Sequence, residues 1–296
     1  MMRTVSSGVV FLILYLALIT PFTTYLKNKP FVEKLGYVPS VTALKAVAAD
    51  FKELVAASLV LKVLMYFGGL VDEAPNQVAV PPDYMSMSRL LHGAVKLDPY
   101  NMDAYYFAQS FLTWDVKQFK LANDLLDYGM KYRTWDWQLP FFAGFNSAYF
   151  LKDYAAAARY YKRAGELSGS DLSRLLAGRY MQESGQTELA IVYLFAMEKG
   201  ERNPALKKSY QLRLAAFRVT RRIELARDRY RETRGAIPKT VEQLVTGGFL
   251  SPPPVDPYGG KFYLEVDGKV ATTSKYAFAG VKNNRTKKAG EIDERH

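Results

Sequence analysis

Charge is absent from the first apolar stretch of the chain: "SSGVVFLILYLALITPFTTYL", Ser6 to Leu26, is apolar and aromatic with scattered hydroxyls. Residues 8–26 as a helix would measure about 28 Å at ~1.5 Å per residue, close to the hydrocarbon thickness of a bilayer. This pattern predicts a transmembrane anchor within 1–30. A cleaved signal peptide competes, because Arg3 precedes the run. No small-x-small site follows, however: Thr20-Pro21-Phe22 and Thr24-Tyr25-Leu26 are bulky. A second apolar run, 49–69, lies in an N-terminal helical segment, 31–83. Lys52, Glu53 and Lys62 interrupt it, so it reads as a buried helix and not as a second span.

From 84 to 204 apolar positions recur at helical spacing, and the spacing itself repeats. "QFKLANDLL", "DYAAAARYY" and "QTELAIVYL" carry alanines at 122, 157 and 190, which lie 35 and 33 residues apart. Each predicts a helix, and the period of about 34 residues marks a repeated unit. "YMSMSRLLHGAVKLDP" (84–99) predicts one more such helix, paired with 49–69 across Pro81-Pro82. Nothing breaks a helix from 205 to Gly235, where Leu212, Ala216, Val219, Ile223, Ala226 and Tyr230 form an apolar seam. The pattern then changes. Residues 236–274 predict a short helix capped by Thr240 and a hairpin, with Phe262, Leu264 and Val266 alternating against Tyr263 and Glu265. Asp267-Gly268 predicts a two-residue turn between the strands. Residues 275–296 are polar and read as disordered.

The repeated segments resemble the tetratricopeptide repeat, a helix–turn–helix unit that recurs every 34 residues. Tyr105 and Phe141 take its aromatic place in the first two units, Gly178 the small-residue place in the third, and Ala122, Ala157 and Ala190 the second-helix alanines. Arg174, Gly129 and Met197 depart from the pattern. The resemblance implies that the first helices line a groove for an extended peptide or partner helix. Mapped by position, the groove carries Tyr106, Ser110 and Thr113, then Phe142, Asn146 and Tyr149, then Arg179 and Gln182. The alternative is a closed helical layer with no ligand. "YRTWDWQLPFF" (132–142) reads as packing between the first two repeats. Residues 226–270 resemble the globular part of the type II secretion major pseudopilin, through Tyr230, Gly235 and Pro238 and then Pro254, Asp256, Pro257 and Gly259. The layout as a whole looks like a group of bacterial membrane-anchored tetratricopeptide proteins. That resemblance, with a short N-terminal tail before one span, implies the inner membrane with the bulk periplasmic. The expected fold is therefore mainly α: a transmembrane helix, a tetratricopeptide-like α-solenoid and a small α+β hairpin module.

Composition narrows the chemistry. Apolar residues make up 49% of the chain, which excludes wholesale disorder, and there are no cysteines, hence no disulfide and no thiolate metal site. The two histidines are His92 and His296, a poor inventory for a triad or a two-histidine metal centre. Acid–base chemistry by carboxylates would need a pairing that sequence does not show. No catalytic residue, cofactor or metal ligand is assigned. The spacing in "DPYGGKFYLEVDG" fails the EF-hand pattern, because Asp256 is followed by Pro, Tyr, Gly and Gly. The formal charge of +11 is concentrated: between Glu201 and Gly235 eleven Lys or Arg residues face four acids. Arg221, Arg222 and Arg229 mark a cationic face there. Anionic lipid suits that face better than nucleic acid, for which no base-reading motif exists. The expected function is a scaffold or adaptor for protein partners in a pilus, secretion or transport assembly of the envelope. The alternative is an accessory protein that binds anionic lipid or polymer through the arginine helix.

Overall fold

The computed structural model describes residues 14–24, 35–36, 39–72 and 82–276. It divides into two compact units, Met1–Leu97 and Asp98–His296.

The first unit holds four helices among its described residues: α1 (14–24), α2 (Val41–Ala48), α3 (Lys52–Asp72) and α4 (Tyr84–Leu97). Ser40 starts α2 by accepting a hydrogen bond from the Ala43 N–H. The inner side of α3, with Ala56, Leu59, Val60, Val63 and Tyr66, packs on Met87, Leu90, Leu91, Ala94 and Val95 of α4. The Tyr66 hydroxyl fixes the entry to α4 by accepting from the Asp83 N–H at 2.8 Å.

Two expectations are corrected here. Among the described residues no helix is long and apolar enough to cross a membrane. The residues of α1 rise only about 16 Å, half of a bilayer core of ~30 Å. Residues 8–13 and 25–26 of the expected span lie outside the described residues. α3 has the length, but Lys52, Glu53 and Lys62 interrupt its apolar run. The transmembrane element of the expected fold class is therefore withdrawn, and with it the single-pass inner-membrane location. The second correction concerns α3, expected to be buried: its outer face is open to solvent.

The second unit begins with three consecutive helical hairpins: α5 (Met102–Trp114) with α6 (Phe119–Met130), α7 (Gln138–Asn146) with α8 (Tyr154–Ser168), and α9 (Asp171–Glu183) with α10 (Thr187–Gly200). The two helices of each hairpin pack on each other, and successive hairpins join through α6 on α7 and α8 on α9. Ala122, Ala157 and Ala190 are fully buried. At Gly178 the approach is close: a Cβ there would lie 2.8 Å from a methyl of Leu194, so a side chain at the α9–α10 crossing would force Leu194 to move. α7 runs on into a single π-helical turn, Ser147–Leu151, and Asp153 then caps α8 through the Ala156 N–H at 2.9 Å.

α11 (Pro204–Arg234) is the long helix, started by Asn203 with Pro204 in the first turn and stopped by Gly235 at φ 65°. Its buried positions reach beyond the expected seam. Tyr210, Arg213, Leu214, Phe217, Thr220 and Glu224 join Ala216, Ile223 and Ala226 inside, because the helix is covered on two sides. α9 and α10 cover one side; α12 (Val241–Thr246) and the hairpin β1 (Phe262–Leu264) and β2 (Val270–Thr272) cover the other. One apolar core runs from Leu175 and Leu194 through Phe217 and Ile223 to Leu244, Phe262 and Val270. The strands pair antiparallel, with Phe262 opposite Thr272 and Leu264 opposite Val270. The turn thus takes residues 265–269, and Val266 stands fully exposed at its tip instead of extending β1. Tyr276, assigned by sequence to the polar tail, is buried against Phe217. Residues 277–296 lie outside the described residues.

Candidate partner-binding face

A ladder of six rings crosses the three hairpins. Tyr106 of α5 meets Phe142 of α7 edge to face at 5.8 Å, and Phe142 meets Phe141 at 6.1 Å. Phe141 meets Tyr161 of α8 at 5.6 Å, Tyr161 stacks on Tyr180 of α9 at 5.6 Å, and Tyr180 stacks on Tyr154 at 5.9 Å. Pairs in this range add roughly 0.5–1.5 kcal/mol beyond area burial, so the ladder ties hairpin to hairpin. Its far end is closed by the β turn. Lys269 sits 5.3 Å above the Tyr154 ring and donates to Glu183 Oε2 at 2.7 Å.

The eight residues assigned to the groove divide into three groups. Ser110 is exposed, and Tyr149 is 60% exposed with its ring stacked on Phe145 and Lys152 above it. Thr113 and Asn146 lie inside, where Thr113 Oγ1 donates to Asn146 Oδ1 at 3.4 Å. Asn146 Nδ2 in turn donates to Asn123 Oδ1, and Asn123 Nδ2 donates to the Ala143 carbonyl and Ser147 Oγ. This buried network joins α5, α6 and α7 where the π turn begins. Sequence reasoning missed Asn123, although a signal existed: it lies four residues after Phe119 and three before Leu126, on the apolar side of α6.

The third group carries the chemistry. Tyr106, Phe142 and Arg179 are half-buried and Gln182 is 2% exposed. Among the described residues, Tyr106 Oη, Arg179 Nε and Gln182 Oε1 are buried and make no hydrogen bond, as is Ser173 Oγ. All four lie on the first helices of hairpins. A buried polar atom without a partner costs about 1–3 kcal/mol, and such atoms are rare enough to require a reason. Burial, seconded by the nearby Asp136 carboxylate, pushes the Tyr106 phenol up to about 12. The Arg179 guanidinium lies 5.7 Å over the Tyr180 ring.

The arginines of α11 are arranged otherwise. Arg213, 4% exposed, donates to the Tyr258 hydroxyl at 3.0 Å and the Tyr276 carbonyl at 2.9 Å. Arg221 pairs with Glu188 and Glu224. Arg222 donates to the Pro252 carbonyl, Arg229 to the Phe249 carbonyl and Arg227 to the Gly268 carbonyl. Of the expected cationic face, Arg222 and Arg229 thus clamp loops of the C-terminal module, whereas Arg221 is held by acids of α10 and α11.

The acidic loop at Asp256 is likewise occupied from within. Asp256 Oδ1 accepts the Tyr258 N–H at 2.8 Å, and Oδ2 accepts the hydroxyls of Thr272 and Ser274. Gly260 permits this closure, because a Cβ there would lie 2.6 Å from the carboxylate and 2.7 Å from the Ser274 nitrogen. Two clefts of about 400 Å³ open elsewhere. One lies between α12 and the Pro253–Val255 loop; the other lies between α8 and α10, lined by Ala158, Leu189, Val192 and Tyr193 with Arg159 and Lys162 at its rim.

No family model matches the chain, and no curated protein matches it. Among solved structures, it is similar to YrrB, a TPR protein with an unusual peptide-binding site. The two are 18% identical with a TM-score of 0.37, over 60% of this chain and 85% of that one. The pseudopilin resemblance of residues 226–270 finds no support in these comparisons.

Proposed function

We propose that the protein is a scaffold that holds an extended segment of a protein partner along the first helices α5, α7 and α9. The supporting observation is the placement of the unpartnered polar atoms. Arg179 and Gln182 are three residues apart and so neighbours on one helix face. One can only donate through Nε and the other offers an acceptor in Oε1. A peptide group presents one donor and one acceptor, so it satisfies both at once. Tyr106, at the other end of the ring ladder, supplies a hydroxyl able to do either. Tyr106 and Arg179 are only half-buried, so a ligand would reach their polar atoms by moving these side chains and not by unfolding a helix. The finer setting, an envelope assembly such as a pilus, secretion or transport machine, rests on the sequence resemblances alone.

Selection of random peptides displayed on phage against the full chain tests this reading. Enriched sequences, resynthesised with a fluorophore, should bind with an affinity that falls about tenfold or more in an Arg179→Ala, Gln182→Ala double variant. Arg222→Ala should leave it unchanged. A selection that enriches nothing, or peptides that bind wild type and the double variant equally, would overturn the proposal.

A further inference from the structure

α3 is apolar on two opposite sides, and among the described residues only one of them is covered. Phe51, directly before the helix, and Leu54, Leu61 and Met65 within it are 68%, 68%, 58% and 68% exposed. Ser58 and Gly68 lie among them and are exposed too. In chain order the six positions are spaced 3, 4, 3, 4 and 3, the a/d seam of a coiled coil. Lys62 flanks the seam and does not interrupt it. With Val47, 85% exposed at the end of α2, these side chains leave on the order of 600 Å² of apolar surface. That is at the upper end for a largest patch on a monomer, and most of the ~800 Å² per partner that a stable complex buries.

We propose that this seam is the two-fold interface of a homodimer, in which α3 packs antiparallel on α3 of a second copy. A two-fold interface must be self-complementary: what one residue offers, its mate must accept. Antiparallel a/d layers bring Phe51 opposite Gly68, Leu54 opposite Met65, and Ser58 opposite Leu61. The largest side chain meets the smallest, and the branched leucines meet a flexible methionine or a small serine. The hole at Gly68 is open, since a Cβ there would touch nothing within 4 Å. A parallel pairing would set Phe51 on Phe51 at one end and Gly68 on Gly68 at the other, crowded at the first and void at the second. The seam runs the length of α3, which has 21 residues, about 30 Å, so a second α3 matches it from end to end.

Sedimentation equilibrium of the full chain should give twice the 33.5 kDa mass of one chain. Leu61→Glu, which alters an exposed side chain, should return the mass to that of one chain with helicity unchanged, and the concentration dependence of the melting temperature should vanish with the dimer. The absence of cysteine allows the geometry to be read by disulfides. Chains with Phe51→Cys mixed with chains with Gly68→Cys should form a mixed disulfide dimer, while Met65→Cys chains should not link to themselves. A single-chain mass at every concentration, a dimer unmoved by Leu61→Glu, or self-linked Met65→Cys chains would each overturn the proposal.

Discussion

Two sets of polar groups behave in opposite ways in this molecule. Along α11 the sequence concentrates positive charge, and Arg213, Arg221, Arg222, Arg227 and Arg229 all find carbonyl, hydroxyl or carboxylate partners within the chain. Along α5 and α9 the sequence shows nothing conspicuous, yet Tyr106, Arg179 and Gln182 bury polar atoms that no protein group satisfies. Charge density therefore points away from the candidate site, and unmet hydrogen-bonding capacity points toward it. The reason is that a long cationic side chain is as useful for holding a loop as for holding a ligand. A buried atom with no partner serves no such structural purpose.

The contrast can be broken most forcefully at Arg213. Arg213→Ala leaves the Tyr276 carbonyl buried without its donor and empties the space under Tyr258. It should cost about 3 kcal/mol, seen as a large drop in the denaturant midpoint. Near-wild-type stability would mean that the clamps do not hold the C-terminal module. The half-exposed pair should matter less: Arg222→Ala with Arg229→Ala removes two bonds to loop carbonyls and should cost about 1 kcal/mol, measured the same way.

The unpartnered set should respond in the reverse sense. Gln182→Leu and Tyr106→Phe delete polar atoms that have no partner and keep most of the volume, so stability should stay level or rise by up to about 1 kcal/mol. A loss of 2 kcal/mol or more would show that these atoms are satisfied in the free protein. The smallest effect sharpens the same point through pH. Tyr106 titrates in the fold only near about 12, against 10.0 for a free phenol. A raised acid favours the protonated native state. Its stabilisation is complete below pH 10 and is lost as pH rises toward 12. Burial also raises the phenols of Tyr105, Tyr161 and Tyr210. Thermal melts across this window should therefore fall with phenolate absorbance appearing as the protein unfolds, and in Tyr106→Phe the fall should be shallower.

Much of the hairpin array was readable because its determinants are local. The alanines at 122, 157 and 190 and the glycine at 178 mark crossings, since close approach of two helices admits no bulk there whatever surrounds them. Gly235 ends α11 for the same reason: caps act within one turn. Errors arose where a side chain's role depends on a distant partner. Thr113 and Asn146 share a helix face with Tyr106 and Phe142, and only the packing of α6 puts them inside, with Thr113 on Asn146 and Asn146 on Asn123. Val266 alternates correctly with its neighbours, but the register set by Leu264 and Val270 puts it in the turn. The apolar run at 8–26 predicts a span by composition, whereas among the described residues no helix is long and apolar enough to cross a bilayer.

By itself, the sequence determined the helical hairpins, the long helix and its limits, and the poverty of catalytic side chains. These follow from periodicity, capping and composition, which act over a few residues. Tertiary structure alone decided which polar groups are spent and which are free. It turned four arginines of α11 onto backbone carbonyls 20 to 63 residues away, closed Asp256 on Thr272 and Ser274, and left Tyr106, Arg179 and Gln182 unanswered. Hydrogen bonding is satisfied pairwise in space, so no spacing along one chain can show which donors remain unmatched once the helices pack.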